Sequence, residues 1–157
     1  SLRKLSLGYI PKLKGWRRMS KDCRTTLPFP RLNVLDLDGM GSEVVLDLLQ
    51  GSLSLQALSI YNCEGLKEIP EWIDNLTSLK YLHIENCPKL MPLPKQIGNL
   101  PNLERIQIVE CAGAFAEWWV DPTIPDSPLK HVAAEMRWES SCSSSRDAFS
   151  CHKSRKA

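Results

Sequence analysis

His83 and Glu85 stand two residues apart in Tyr81-Leu82-His83-Ile84-Glu85, an alternating stretch that sends both side chains to the same side of a strand. An imidazole beside a carboxylate is the pair that general acid–base catalysis uses. Here it would lie on an open, shallow surface, which neither excludes water nor perturbs proton affinities usefully. No nucleophile motif, metal-ligand cluster or phosphate loop accompanies it, and G-x-x-x-x-G-K-S/T is absent from the chain. The expectation is a protein without enzymatic activity, cofactor or metal. Thiols are the other reactive groups. Cys63, Cys87 and Cys111 recur at an offset of 24 residues (87−63 and 111−87). A small, mostly apolar side chain with a weak S–H donor suits a half-buried corner, so these read as structural thiols. Cys142, Cys151 and His152 form no Cys-x-x-Cys pair and have no zinc-type spacing. The cysteine usage favours a reducing compartment.

The offset of the thiols belongs to a wider repeat. Leu55, Leu79 and Leu103 align at 24 residues (79−55 and 103−79), as do Leu58/Leu82/Ile106 and Ile60/Ile84/Ile108. Between the two later blocks the agreement continues through Leu66/Leu90, Ile69/Leu93, Pro70/Pro94, Ile73/Ile97 and Leu76/Leu100. Looser copies begin at Leu2-Leu5-Leu7 and Leu32-Leu35-Leu37. The template L-x-x-L-x-L-x-x-N/C-x-x-L reads off as Leu55, Leu58, Ile60, Cys63 and Leu66, which is a leucine-rich repeat.

These elements position the polar residues. Each L-x-L segment alternates in period two, the pattern of a short strand with one buried face. Five strands are predicted, near Lys4–Leu7, Val34–Leu37, Ala57–Ile60, Tyr81–Ile84 and Arg105–Ile108. Strands one repeat apart run the same way and should pair in parallel. In the returning halves, Ile69-Pro70 and Leu93-Pro94 forbid a ladder or a long helix, so turns or 3₁₀ pieces should carry Ile73, Leu76, Ile97 and Leu100 back to the core. The second block differs: Ser42 before, Gly51 after and apolar residues at 45, 48 and 49 predict a two-turn helix. The fold class is α/β, a leucine-rich-repeat solenoid with a curved parallel sheet on its concave side. Residues 1–111 form the repeat domain of about five repeats, and 112–139, with Trp118-Trp119 and a short helix over Leu129–Met136, cap its last core face. The Ser-rich basic stretch 140–157 is expected to be disordered. The first repeat lacks a preceding cap, so the chain is expected to be the C-terminal part of a longer polypeptide.

The 157 residues carry a net charge of +2 that hides an uneven distribution. Residues 1–31 hold nine Lys/Arg against one acid (+8), 32–136 six against fifteen (−9), and 137–157 five against two (+3). Pro11–Pro30 reads as a basic excursion from the solenoid. Only Trp16 and Phe29 stand among its bases, short of the interleaved stacking aromatics that single-strand binders use, which argues against nucleic acid as a partner. No run approaches the length of a membrane span, so no membrane is expected either.

The blocks Leu66-Lys67-Glu68-Ile69-Pro70-Glu71-Trp72-Ile73 and Leu76 through Leu90, with Asn86-Cys87-Pro88-Lys89, resemble the repeats of plant intracellular nucleotide-binding leucine-rich-repeat (NLR) disease-resistance proteins, particularly the coiled-coil class. Pro11-Lys12-Leu13-Lys14-Gly15-Trp16 and Phe29-Pro30 resemble the same group. The resemblance spans roughly residues 1–111. It implies an upstream nucleotide-binding domain in intramolecular contact with the repeats, a cytoplasmic location, and a pathogen effector or host protein as partner.

The open side of the sheet is where such a partner would bind. Lys4, Ser6, Gly8, Val34, Asp36, Asp38, Ala57 and Val109 are displayed there, together with the candidate contact residues Ser59, Tyr61, Tyr81, His83, Glu85, Arg105 and Gln107. Tyr61, Tyr81 and Arg105 are the residue types that most often anchor interfaces. Ectodomain repeats of an extracellular receptor are the alternative, since these share the 24-residue period and Asn75-Leu76-Thr77 is a formal glycosylation sequon. Against this, Lys67 and Met91 stand where the ectodomain pattern has Gly, and the sequon falls where Leu76 must be buried.

Overall fold

The computed structural model describes residues 2–10, 13, 29–114 and 133–137. Most of the basic excursion, Trp118-Trp119 and the 140–157 stretch lie outside them. Six strands, β1 (Lys4–Leu7), β2 (Val34–Asp38), β3 (Ala57–Tyr61), β4 (Tyr81–Glu85), β5 (Arg105–Val109) and β6 (Ala133–Arg137), form one sheet in chain order. Every neighbouring pair is parallel. The register equals the repeat offset: Leu58 faces Leu82 and Leu82 faces Ile106. Leu58, Ile60, Leu82, Ile84, Ile106 and Ile108 are at most 1% exposed, so the strand face read from the L-x-L pattern is the core face. Leu5 and Leu7 on β1 pack against that core only in part.

The returning halves behave as their prolines require. Glu71–Asn75 and Lys95–Asn99 are 3₁₀ turns preceded by Pro70 and Pro94 in extended conformation. Each turn buries one isoleucine, Ile73 or Ile97. The next leucine closes the turn by donating its N–H to that isoleucine's carbonyl, Leu76 to Ile73 at 3.0 Å and Leu100 to Ile97 at 3.3 Å.

Helix α1 spans Ser42–Gln50 and buries Val44, Val45, Leu48 and Leu49. Its ends differ from the expectation. The N-cap is Gly41, with no side-chain cap hydrogen bond, and Gly51 at the C-cap is right-handed (φ −87°). Gly51 N–H reaches the Asp47 carbonyl, while Ser52 caps Leu49 with its N–H and Leu48 with its hydroxyl at 2.7 Å. With Ser52 satisfying the last carbonyls, a left-handed glycine is not needed.

Two further expectations are corrected. β2 to β5 each run one residue beyond their predicted ends. The residue after each is left-handed: Gly39 (φ 65°), Asn62 (52°), Asn86 (51°) and Glu110 (53°). In that conformation the N–H of the first three still points across the sheet, to Tyr61 O, Glu85 O and Val109 O at 2.9–3.0 Å, so pairing persists to the turn. Of the helix expected over 129–136, residues 133–136 belong instead to strand β6, in register with β5 (Arg105 facing Ala133), and 129–132 lie outside the described residues. An isolated eight-residue helix is marginal, whereas the edge of β5 offers a complete ladder for the same backbone groups.

Candidate functional site

The open face of the sheet carries three rows of side chains that cross the strands. The first contains Lys4, Val34, Ala57, Tyr81 and Arg105; the second Ser6, Asp36, Ser59, His83 and Gln107; the third Asp38, Tyr61, Glu85 and Val109. All seven candidate contact residues stand on this face, brought together by register alone. Tyr81 and Arg105 are exposed, and Tyr61 and Glu85 half-buried. Ser59, His83 and Gln107, expected to be exposed, are also half-buried. They belong to the middle row, where Tyr61 and Glu85 of the third row pack against His83.

His83 is the centre of this packing. Its Nε2 lies 3.0 Å from Glu85 Oε2 and its Nδ1 3.2 Å from Gln107 Oε1. Its ring centroid is 5.2 Å from that of Tyr61 at an interplanar angle of 42°. The acid–base pair drawn from the sequence is therefore formed. Yet the two side chains remain 25% and 42% exposed, and both ring nitrogens are engaged by Glu85 and Gln107. Neither is turned to the hydroxyl of Ser59, the register neighbour that a hydrolytic triad would recruit. What the arrangement does is fix the orientation of three polar side chains on a solvent-facing surface.

Along the first row, Tyr81 donates its hydroxyl to Glu104 Oε2 at 2.9 Å, and Lys80 Nζ lies 3.6 Å from the other oxygen of that carboxylate. The Glu104 hydrogen bond and its negative charge hold the Tyr81 phenol above its ordinary value of 10. At the far end, Asp36 receives Ser6 Oγ at 2.9 Å and pairs with Lys4 Nζ at 3.4 Å. Lys4 is so exposed that this pair adds little to stability. Lys4, Ser6 and Asp36 were expected on the open side but were not among the seven contact candidates.

Beside the third row runs a ladder of amides. Asn86 donates to Asn62 Oδ1 at 2.7 Å, and Asn62 donates to Asp38 Oδ1 at 2.8 Å. Gly39, Asn62, Asn86 and Glu110 occupy one repeat position, immediately before Met40, Cys63, Cys87 and Cys111. Glycine and asparagine are the residues that tolerate a left-handed backbone, so this signal was present in the sequence. The thiols close the corner beneath. Cys63, Cys87 and Cys111 are free and buried, each donating to the carbonyl two residues back (Tyr61, Glu85 and Val109) at 3.2–3.5 Å. Cys87, between the other two, also donates its N–H to Cys111 Sγ at 3.2 Å. Hydrogen bonding to Cys111 and Cys63, together with burial, pushes its thiol far up, which makes it inert. Among the described residues no group of His, Cys, Asp or Glu is placed to hold a metal ion, and no helix is long and apolar enough to cross a membrane.

The sequon Asn75-Leu76-Thr77 divides across the surface: Asn75 and Thr77 are exposed and only Leu76 is buried. Burial of the middle residue therefore does not shield the asparagine.

No significant match was found among curated proteins. A family model for R13L1/DRL21 LRRs matches residues 24–111, more than half of the chain and all of β2 to β5 with helix α1. The chain belongs to the R13L1/DRL21 leucine-rich-repeat family, a repeat region of the resistance-protein type.

Proposed function

We propose that this chain is the protein-recognition module of a plant intracellular immune receptor of the coiled-coil NLR class, contributing to perception of a pathogen effector, or of a host protein that reports one. The observation that supports it is the family match laid over a sheet face whose variable polar side chains are held in rows by parallel register. Ser59, Tyr61, Tyr81, His83, Glu85, Arg105 and Gln107 are the contact residues in this reading. Specificity spread over several coils needs no catalytic group, only a rigid frame, and β2 to β5 of that frame are each anchored by fully buried leucine or isoleucine. The same repeats would contact an upstream nucleotide-binding domain and help hold it inactive, in the cytoplasm. The module itself uses no cofactor.

The test uses a confirmed protein partner of the receptor. Arg105→Glu combined with Tyr81→Ala should reduce binding at least ten-fold, since an interface anchor is worth about 2 kcal/mol or more. The circular dichroism spectrum and melting temperature should stay near those of the unaltered chain, because neither side chain supports the core. A partner that tolerates changes at Tyr61, Tyr81, Glu85 and Arg105 together would refute the reading and move recognition to the convex side, where Trp72 packs half-buried on the Glu71–Asn75 turn.

A further inference from the structure

Asp38, Tyr61 and Glu85 are register partners on β2, β3 and β4, so an aromatic ring stands between two carboxylates on adjacent coils. Neighbouring strands lie about 4.8 Å apart, which puts the backbones of the two acids roughly 10 Å from each other with Tyr61 between them. Each acid is oriented from the side. Asn62 holds Asp38 Oδ1 at 2.8 Å, and His83 holds Glu85 Oε2 at 3.0 Å. The His83 ring also braces Tyr61 from 5.2 Å. On β1 to β5 the lysine and arginine of the sheet face stand in the first row; on β6, Arg137 continues the third row as the register partner of Val109, two strands from Glu85. Lys4 pairs with Asp36, and Arg105 is the register partner of Tyr81, four residues or about 13 Å along the strand direction from Glu85. From β2 to β4 the third row is thus two acids with a ring between them and no lysine or arginine.

We propose that the Asp38–Tyr61–Glu85 row takes the guanidinium of an arginine side chain presented by a protein partner, an inference that rests on the reading of this face as protein-binding. A planar cation can lie on the phenol while its N–H edges reach the flanking carboxylates. Arginine suits this better than lysine, because its guanidinium stacks on rings, pairs with carboxylates through a fork of donors and is more weakly hydrated. An anionic side chain would meet two like charges. An apolar one would strip water from them without replacing its hydrogen bonds. A bare metal ion finds no group of three or more His, Cys, Asp or Glu ligands among the described residues.

The experiment titrates acetyl-octaarginine amide into the full 157-residue chain, labelled with nitrogen-15, and follows the amide resonances. Saturable shifts should centre on Asp38, Tyr61 and Glu85. Tyr61→Leu should weaken the peptide about two- to five-fold, as loss of an exposed cation–π contact does, whereas Tyr61→Phe, which keeps the ring face, should bind like the unaltered chain. Glu85→Gln should weaken it, while Glu104→Gln, an acid outside the row, should not. Equal loss on Glu85→Gln and Glu104→Gln, or full binding by Tyr61→Leu, would show diffuse charge attraction and overturn the proposal. A confirmed partner that is lost on Arg105→Glu with Tyr81→Ala, yet ignores Tyr61→Leu and Glu85→Gln, overturns the proposal and leaves the protein-binding reading standing. A partner indifferent to the whole face removes both.

Discussion

Replacing Glu110 by Asn should stabilise the protein, because Glu110 alone breaks a rule that its three repeat equivalents obey. Its φ is 53°, a conformation that costs an ordinary L-residue about 1 kcal/mol, whereas Gly39, Asn62 and Asn86 hold the same position with residues that tolerate it. Glu110 is also exposed, so no packing is lost on substitution. An Asn at 110 can further donate to Asn86 Oδ1, as Asn86 now donates to Asn62. An exposed amide bond of this kind contributes about 0.5 kcal/mol. The sum, roughly 1.5 kcal/mol, corresponds to a rise in melting temperature of about 3–6 °C for a chain of this size. Calorimetric melting and urea midpoints should agree on the sign. Glu110→Gly provides the internal control: it relieves the same strain but adds unfolded-state entropy worth about 0.5–1 kcal/mol and extends no ladder, so its net effect should be close to zero. If Glu110→Gly stabilises as much as Glu110→Asn, the ladder contributes nothing. If Glu110→Asn is neutral or destabilising, the left-handed exit is not a strained position at all.

Leu82→Ala empties a site flanked by Leu58 and Ile106 on neighbouring coils and should cost about 2–5 kcal/mol, read as a lower urea midpoint. Tyr81 supplies a pH dependence. Because Glu104 raises the phenol above its ordinary value of 10, the neutral form is favoured in the fold; this contribution is complete below pH 10 and is lost as the pH climbs through the raised value. Phenolate absorbance of the unaltered chain minus that of Tyr81→Phe should therefore titrate at higher pH than the same difference measured with Glu104→Gln, and coincident curves would refute the assignment.

Most of the frame was legible because the repeat states its own register. Aligning Leu55, Leu79 and Leu103 fixes which residues of β3, β4 and β5 are neighbours, and from that follow the core face and the seven open-face candidates. What escaped is local and geometric. The left-handed exits at Gly39, Asn62, Asn86 and Glu110 could have been found by reading the residue before Met40 and each repeat cysteine, but Glu110 disguises the pattern. Half-burial of Ser59, His83 and Gln107 could not be read from alternation, which assigns a side of the sheet but not the crowding on it. β6 was missed for a different reason. Ala133–Arg137 breaks the 24-residue period (133−105 = 28), and its composition suits a helix. Only the unsatisfied edge of β5 decides in favour of a strand.

The exits also connect stability to recognition. Asn62 is left-handed at 52°, and from that position its amide reaches back across the coil to Asp38 while accepting from Asn86. The turn that ends β3 therefore orients an acid at the end of β2. On the other side of Tyr61, His83 orients Glu85 from within β4. Neither acid pairs with a described lysine or arginine, so a partner's cation would meet groups already placed. The side-chain ordering that would otherwise oppose association has been met in part during folding. The corner that makes a solenoid stack also pre-forms the margin that a partner would read.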